Sequence, residues 1–127
     1  MKTKFLFAIL VALAAIVLLG CPTIVTDTMV NIAAIPGVTA PVTGATPVTT
    51  ITETAQYTGT VAWNGTPVTF AASTVYTATI TLTAKAGYTL TGVATDFFTV
   101  AGATSDTNAV NSGIVMAEFP ATGTTPY

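Results

Sequence analysis

Val75-Tyr76-Thr77-Ala78-Thr79-Ile80-Thr81-Leu82-Thr83-Ala84-Lys85 is the stretch that decides the fold. Tyr76, Ala78, Ile80, Leu82 and Ala84 alternate with Val75, Thr77, Thr79, Thr81, Thr83 and Lys85. A period of two places one set on each face of a strand, one dry and one wet. A slip of one residue would push Ile80 and Leu82 into water and a row of threonines into the core, so the register is strongly specified. Threonine suits the wet face, because its branched Cβ is at ease on a pleated sheet and its hydroxyl stays hydrated.

Working outward, the same logic applies to residues 56–63. Tyr57, Gly59, Val61 and Trp63 share one face, Thr58, Thr60 and Ala62 the other, and Asn64-Gly65-Thr66-Pro67 turns the chain back. Asn64-Gly65-Thr66 also fits a glycosylation triplet, but a β-turn is the default reading. Past the turn at Gly87, residues 88–93 and 97–100 read as further short strands. The Phe97-Phe98 pair breaks alternation, as when both faces meet apolar neighbours or an irregular segment dips into the core. Residues 106–113 read as a polar turn, and 114–119 close the domain with Val115, Ala117 and Phe119 on one face. Upstream, residues 30–38 suit an edge strand bent at Pro36-Gly37, and 40–48 carry Pro41, Gly44 and Pro47 as a turn-rich connection.

About six short strands punctuated by Gly, Pro and Asn predict an all-β fold, an immunoglobulin-like antiparallel β-sandwich preceded by an N-terminal signal helix. A small closed barrel is the alternative. The expected organisation is a signal peptide over 1–20, a tether over 21–29, the β-sandwich module over 30–120 and a loose tail over 121–127.

Composition narrows the function. The residues after Gly20 hold one Lys against five carboxylates, a net charge of −4, and about a quarter of them are Thr. Nucleic-acid binding is not expected, because phosphate neutralisation needs clustered Lys and Arg. There is no His and a single Cys, Cys21, which removes Ser-His-Asp and Cys-His catalysis, zinc sites of the His/Cys type and intramolecular disulfides. The core is then held by burial alone.

Cys21 sits in the most informative local context. Lys2 and Lys4 form a positive start, residues 5–19 an apolar run of 15, and Leu18-Leu19-Gly20 leads directly into Cys21. The run is short for a membrane-spanning helix, which needs about 20 apolar residues. An ordinary signal peptide with a chance thiol is the other alternative. The stretch at 18–21 resembles the lipobox of bacterial lipoproteins. That resemblance implies a diacylglyceryl thioether on Cys21, acylation (palmitate) of the freed amine, and stable anchoring by several chains, one chain alone being marginal. With Pro22 rather than Asp after the cysteine, it also implies an outer-membrane or cell-surface location. The stretches Pro41-Val42-Thr43-Gly44-Ala45-Thr46-Pro47, 57–63, 86–93, 97–104 and 117–122 resemble a Thr-rich repeat module of bacterial surface proteins, including spirochaete-like lipoproteins and proteins with S-layer homology domains.

The remaining side chains offer little chemistry. Asp27, Glu53, Asp96, Asp106 and Glu118 are scattered, whereas glycoside hydrolysis needs two carboxylates about 5 to 9 Å apart. Asp106, Asn108 and Asn111 have oxygen ligands for Ca²⁺, but a turn is the plainer reading and no metal is expected. Trp63, Tyr57 and Tyr88 could form a stacking platform for a sugar or peptide, although Trp63 lies on the apolar face of its strand. The expectation is a lipid-anchored envelope or surface protein with a non-catalytic structural or adhesive module. No cofactor is expected; the partners are membrane lipid at Cys21 and a protein or glycan at the cell surface, met through a strand edge or loop rims. A carbohydrate-binding module and an envelope-assembly lipoprotein with an apolar pocket are the alternatives.

Overall fold

The computed structural model describes residues 26–124, and these are all-β, with no helix among them. Accordingly, no helix in this part is long and apolar enough to cross a membrane. The strands are β1 (Thr28–Met29), β2 (Tyr57–Trp63), β3 (Thr77–Ala84), β4 (Tyr88–Thr89), β5 (Ser105–Asn108) and β6 (Ile114–Glu118). Four of them form an antiparallel sheet in the order β2-β3-β6-β5, while β1 and β4 pair in parallel.

The alternation around Ile80 sets the sheet. Ala78, Ile80 and Leu82 of β3, Tyr57, Val61 and Trp63 of β2, and Val115 and Ala117 of β6 are all buried on one face. Across the sheet Val61 lies opposite Ile80, and Ile80 opposite Val115, so the apolar rows coincide. Gly59 belongs to this inner face for a steric reason. A Cβ there would come within 2.9 Å of Leu82 Cδ2 and 3.2 Å of Ile51 Cδ1, so its absence lets both side chains close over the strand.

The inner face is covered by segments with little regular structure. Residues 28–35 run alongside 88–89 and 99: Thr28 N–H donates to the Gly87 carbonyl, Val30 to Thr89, Ile35 to Thr99 and Thr99 to Ala33, each at 2.9 Å. These segments bury Val30, Ile35, Val93, Phe98 and Val100, and Tyr57 and Phe98 meet edge-to-face at 5.8 Å between ring centres.

Several local expectations are corrected. Thr28–Met29 lies in a ladder, so the body begins inside the stretch read as tether, because the carbonyls of Gly87 and Thr89 capture its backbone. Residues 97–100 make a single bridge at Thr99, and the double Phe resolves as an irregular dip with Phe98 buried and Phe97 half-buried. Ser105–Asn108, read as turn, is a strand on the sheet edge. The residues just after Pro120 are not loose, since Thr122 is buried and exchanges hydrogen bonds with Thr74 and Ala71. Gly123 also accepts from the Ser73 N–H and the Thr43 hydroxyl.

Both edges of the main sheet are partly occupied. Beside β2, Ile51 N–H donates to Gly59 and Val61 N–H to Thr49, with Thr50 bridging Thr60. Beside β5, Asp96 N–H donates to the Asn108 carbonyl, and the Asp106 carboxylate accepts from Val100 N–H at 2.9 Å. A partner strand therefore meets obstructed edges, and the uncovered part of the sheet is its outer face.

Candidate interaction face

The outer face is a lattice of threonines with an apolar centre. Thr58 lies opposite Thr83; Thr60, Thr81 and Ile114 form the next row; Ala62, Thr79, Met116 and Thr107 the third; and Thr77, Glu118 and Ser105 the last. Strand geometry spaces these side chains about 4.8 Å across the sheet and about 6.8 Å along each strand. Ile114 and Met116 are half exposed, at 53% and 50%, although they are large apolar residues on a wet face. Around them lie two open grooves, one of about 480 Å³ lined by Thr107, Asn108, Ala109, Ser112, Ile114 and Met116, the other of about 230 Å³ shared by Thr77, Ser105, Thr107, Met116 and Glu118.

Charge is sparse on this face. Glu118 is the one ionisable side chain that the four strands present there, and at its rim Lys85 pairs with Glu53 at 3.3 Å. An exposed pair of this kind contributes little to stability, roughly 0 to 1 kcal/mol. The face thus offers hydroxyls that donate and accept, methyls that exclude water, and an apolar pair at its centre. Those are the means of a flat, weakly charged contact surface.

The aromatic residues singled out in the sequence do not form a platform. Trp63 is buried; its indole N–H donates to the Val48 carbonyl at 2.8 Å, and its ring packs against Phe70 and Phe119. Tyr57 is fully buried, with its hydroxyl shared between the Ile32 and Ala34 carbonyls at 3.1 Å, and burial pushes its pKa up to about 12. The two stand at opposite ends of β2, six residues and about 20 Å apart. Tyr88 is half-buried in β4. Stacking a sugar on Trp63 and Tyr57 is therefore corrected: both rings are part of the core.

Asp106, Asn108 and Asn111 do lie along one seam, but their oxygens hold backbone. Asn111 Oδ1 accepts from Gly92 N–H at 2.7 Å, Asn108 Oδ1 from Phe98 N–H at 3.1 Å and Asp106 Oδ2 from Val100 N–H at 2.9 Å. The buried Asn108 amide also donates to the Ala94 and Ala109 carbonyls, both at 3.0 Å. Among the described residues no group of three or more His, Cys, Asp or Glu side chains gathers as a metal site would require. The trio clips the irregular segment 92–100 to the end of the sheet.

Sequence reasoning missed Gln56, which clasps the opposite end of the layer. Its Oε1 accepts from the Asn31 and Ile32 N–H groups at 2.8 and 3.2 Å, and its Nε2 donates to Asn31 Oδ1 at 2.7 Å. It missed the Ile114 and Met116 centre as well, for which large apolar residues on the wet face of a strand were the available signal. Cys21 and the segment preceding it lie outside the described residues.

No family model, curated protein or solved structure matches this chain.

Proposed function

We propose that this chain is a lipid-anchored protein of the bacterial cell envelope or surface, carrying a non-catalytic structural or adhesive module of immunoglobulin-like sandwich type. The anchor reading rests on Leu18-Leu19-Gly20-Cys21 behind an apolar run of 15 residues and two lysines. The sandwich reading is supported by the layering of the four-stranded sheet against segments 28–38 and 88–100, which share one core. The adhesive reading is carried by one observation. The sheet leaves an entire Thr-lined face open with Ile114 and Met116 at its centre, while its edges are partly taken.

The contact would be made by burying Ile114 and Met116 against a partner protein or glycan while the surrounding threonines exchange hydrogen bonds. Cells expressing the chain test both halves. Labelled palmitate is expected to appear in the protein, with globomycin causing the precursor to accumulate. Paired substitution of Ile114→Lys and Met116→Lys is expected to reduce attachment of the purified protein to cells or matrix about tenfold or more, with its circular dichroism unchanged. A globomycin-insensitive, unlabelled product sinks the anchor, and undiminished attachment sinks the adhesive face.

A further inference from the structure

The two poles of the module differ in how they relate to the chain termini. Tyr57 of β2 faces Ala84 of β3, and directly beyond them Thr28 N–H is held by the Gly87 carbonyl. The chain therefore enters the body at this pole. It leaves at the other, where Glu118 faces Thr77 and the following residues are strapped to Thr43, Ser73 and Thr74. From Cys21 to Thr28 there are seven residue steps, which span at most about 25 Å.

The entry pole carries an apolar tip of its own. Met29, 45% exposed, lies over Gly92, where an added Cβ would come within 2.9 Å of its sulfur. Gly92 N–H is held in turn by Asn111, whose neighbour Val110 is 57% exposed. Met29 and Val110 thus flank the same glycine. Half-buried Leu90 lies close by, and the nearest cation, Lys85, is already paired with Glu53.

We infer that this pole, through Met29 and Val110, rests on the lipid surface to which Cys21 is attached, so that the Thr face stands to the side and the Asn64–Pro67 turn points away from the membrane. The inference rests on the proposed anchor. Two partly exposed apolar side chains bind a bilayer too weakly to recruit a free protein. A tether of seven residues holds them at high local concentration beside it, and contact then follows without further affinity. Because the pole brings no spare cation, docking depends on apolar burial and proceeds on neutral lipid.

The test uses the full-length lipidated protein, in which acylation consumes the native thiol. Met29→Cys and Val110→Cys are each labelled with an environment-sensitive fluorophore, as is Val68→Cys at the far pole, where Val68 is 86% exposed. Each is reconstituted into phosphatidylcholine vesicles containing headgroup-nitroxide lipid, and acylation is verified by mass spectrometry. The expected result is a blue shift and strong quenching at 29 and 110, neither at 68, and no change when anionic lipid is added. Met29 packs on Gly92, so Val110 provides a position free of that contact. Acylated protein with equal or no quenching at all three positions overturns the docking but leaves the anchor standing. Protein without acyl chains overturns both.

Discussion

The four-stranded sheet and the layer that covers it are held together differently. In the sheet, Ile80, Val61 and Val115 meet because three strands share a period of two, and the backbone ladders follow from that. In the covering layer, β1 and β4 are two residues each, and residues 92–100 form no ladder beyond a single bridge. Their backbone groups are satisfied by side chains reaching from the sheet and its flanks: Gln56 for 31–32, Tyr57 for the carbonyls of 32 and 34, Asn108 for 94 and 98, Asp106 for 100. Among the described residues no buried side-chain nitrogen or oxygen lacks a partner. In a chain with no disulfide to close such a layer, polar side chains do the clipping, and each clip carries the cost of leaving buried backbone groups unpaired if it is lost.

The largest break in this comparison comes from Asn108→Ala. It strips partners from the Phe98 N–H and from the Ala94 and Ala109 carbonyls, and is expected to cost about 2–4 kcal/mol. Hydrogen exchange localises the effect: the amides of Phe98 and its neighbours should lose protection while those of Ile80 and Leu82 keep it, and uniform loss would mean that the two regions are one cooperative unit.

A smaller effect is expected from Tyr57→Phe, about 1–2 kcal/mol near neutrality, because the Ile32 and Ala34 carbonyls lose their shared donor. This substitution also has a signature in pH. Burial raises the Tyr57 pKa from 10.0 to about 12, so between those values the unfolded chain releases a proton that the folded chain keeps. The contribution is intact below pH 10 and is lost as pH rises toward 12. Denaturant midpoints measured across that window should fall less steeply in the Phe variant than in the parent.

Thr81→Val lies at the other extreme. Its side chain is exposed on the outer face between Thr60 and Ile114, and the expected change is within about 0.5 kcal/mol. Comparable protein yield and melting temperature would confirm that the face is free of structural duty. A loss as large as that of Asn108→Ala would instead show that the threonine rows hold the sheet.

Legibility followed the same division. Tyr57, Val61, Trp63, Ala78, Ile80, Leu82, Val115 and Ala117 are assigned to the inner face by alternation alone, and all are buried. Ser105–Asn108 was read as turn because Asp and Asn are poor strand formers. Here they occupy an edge, where Asp106 and Asn108 turn their polar groups toward the covering segment. Trp63 was legible as core from its strand face. The role of Gln56 was not, because its partners at 31 and 32 lie about 25 residues away in sequence and leave no periodic trace.

By itself, then, the sequence determined the strand-forming pattern of β2, β3 and β6, the sign and scarcity of charge, and the local chemistry around Cys21. Each is a property of neighbouring residues or of simple composition. Only the tertiary structure decided that Ser105–Asn108 joins the sheet, that segments 28–38 and 88–100 cover one face, and that Ile114 and Met116 remain uncovered on the other. Those outcomes depend on which distant backbone groups a polar side chain reaches, and on which apolar surface is left after the core has closed. Neither quantity is local.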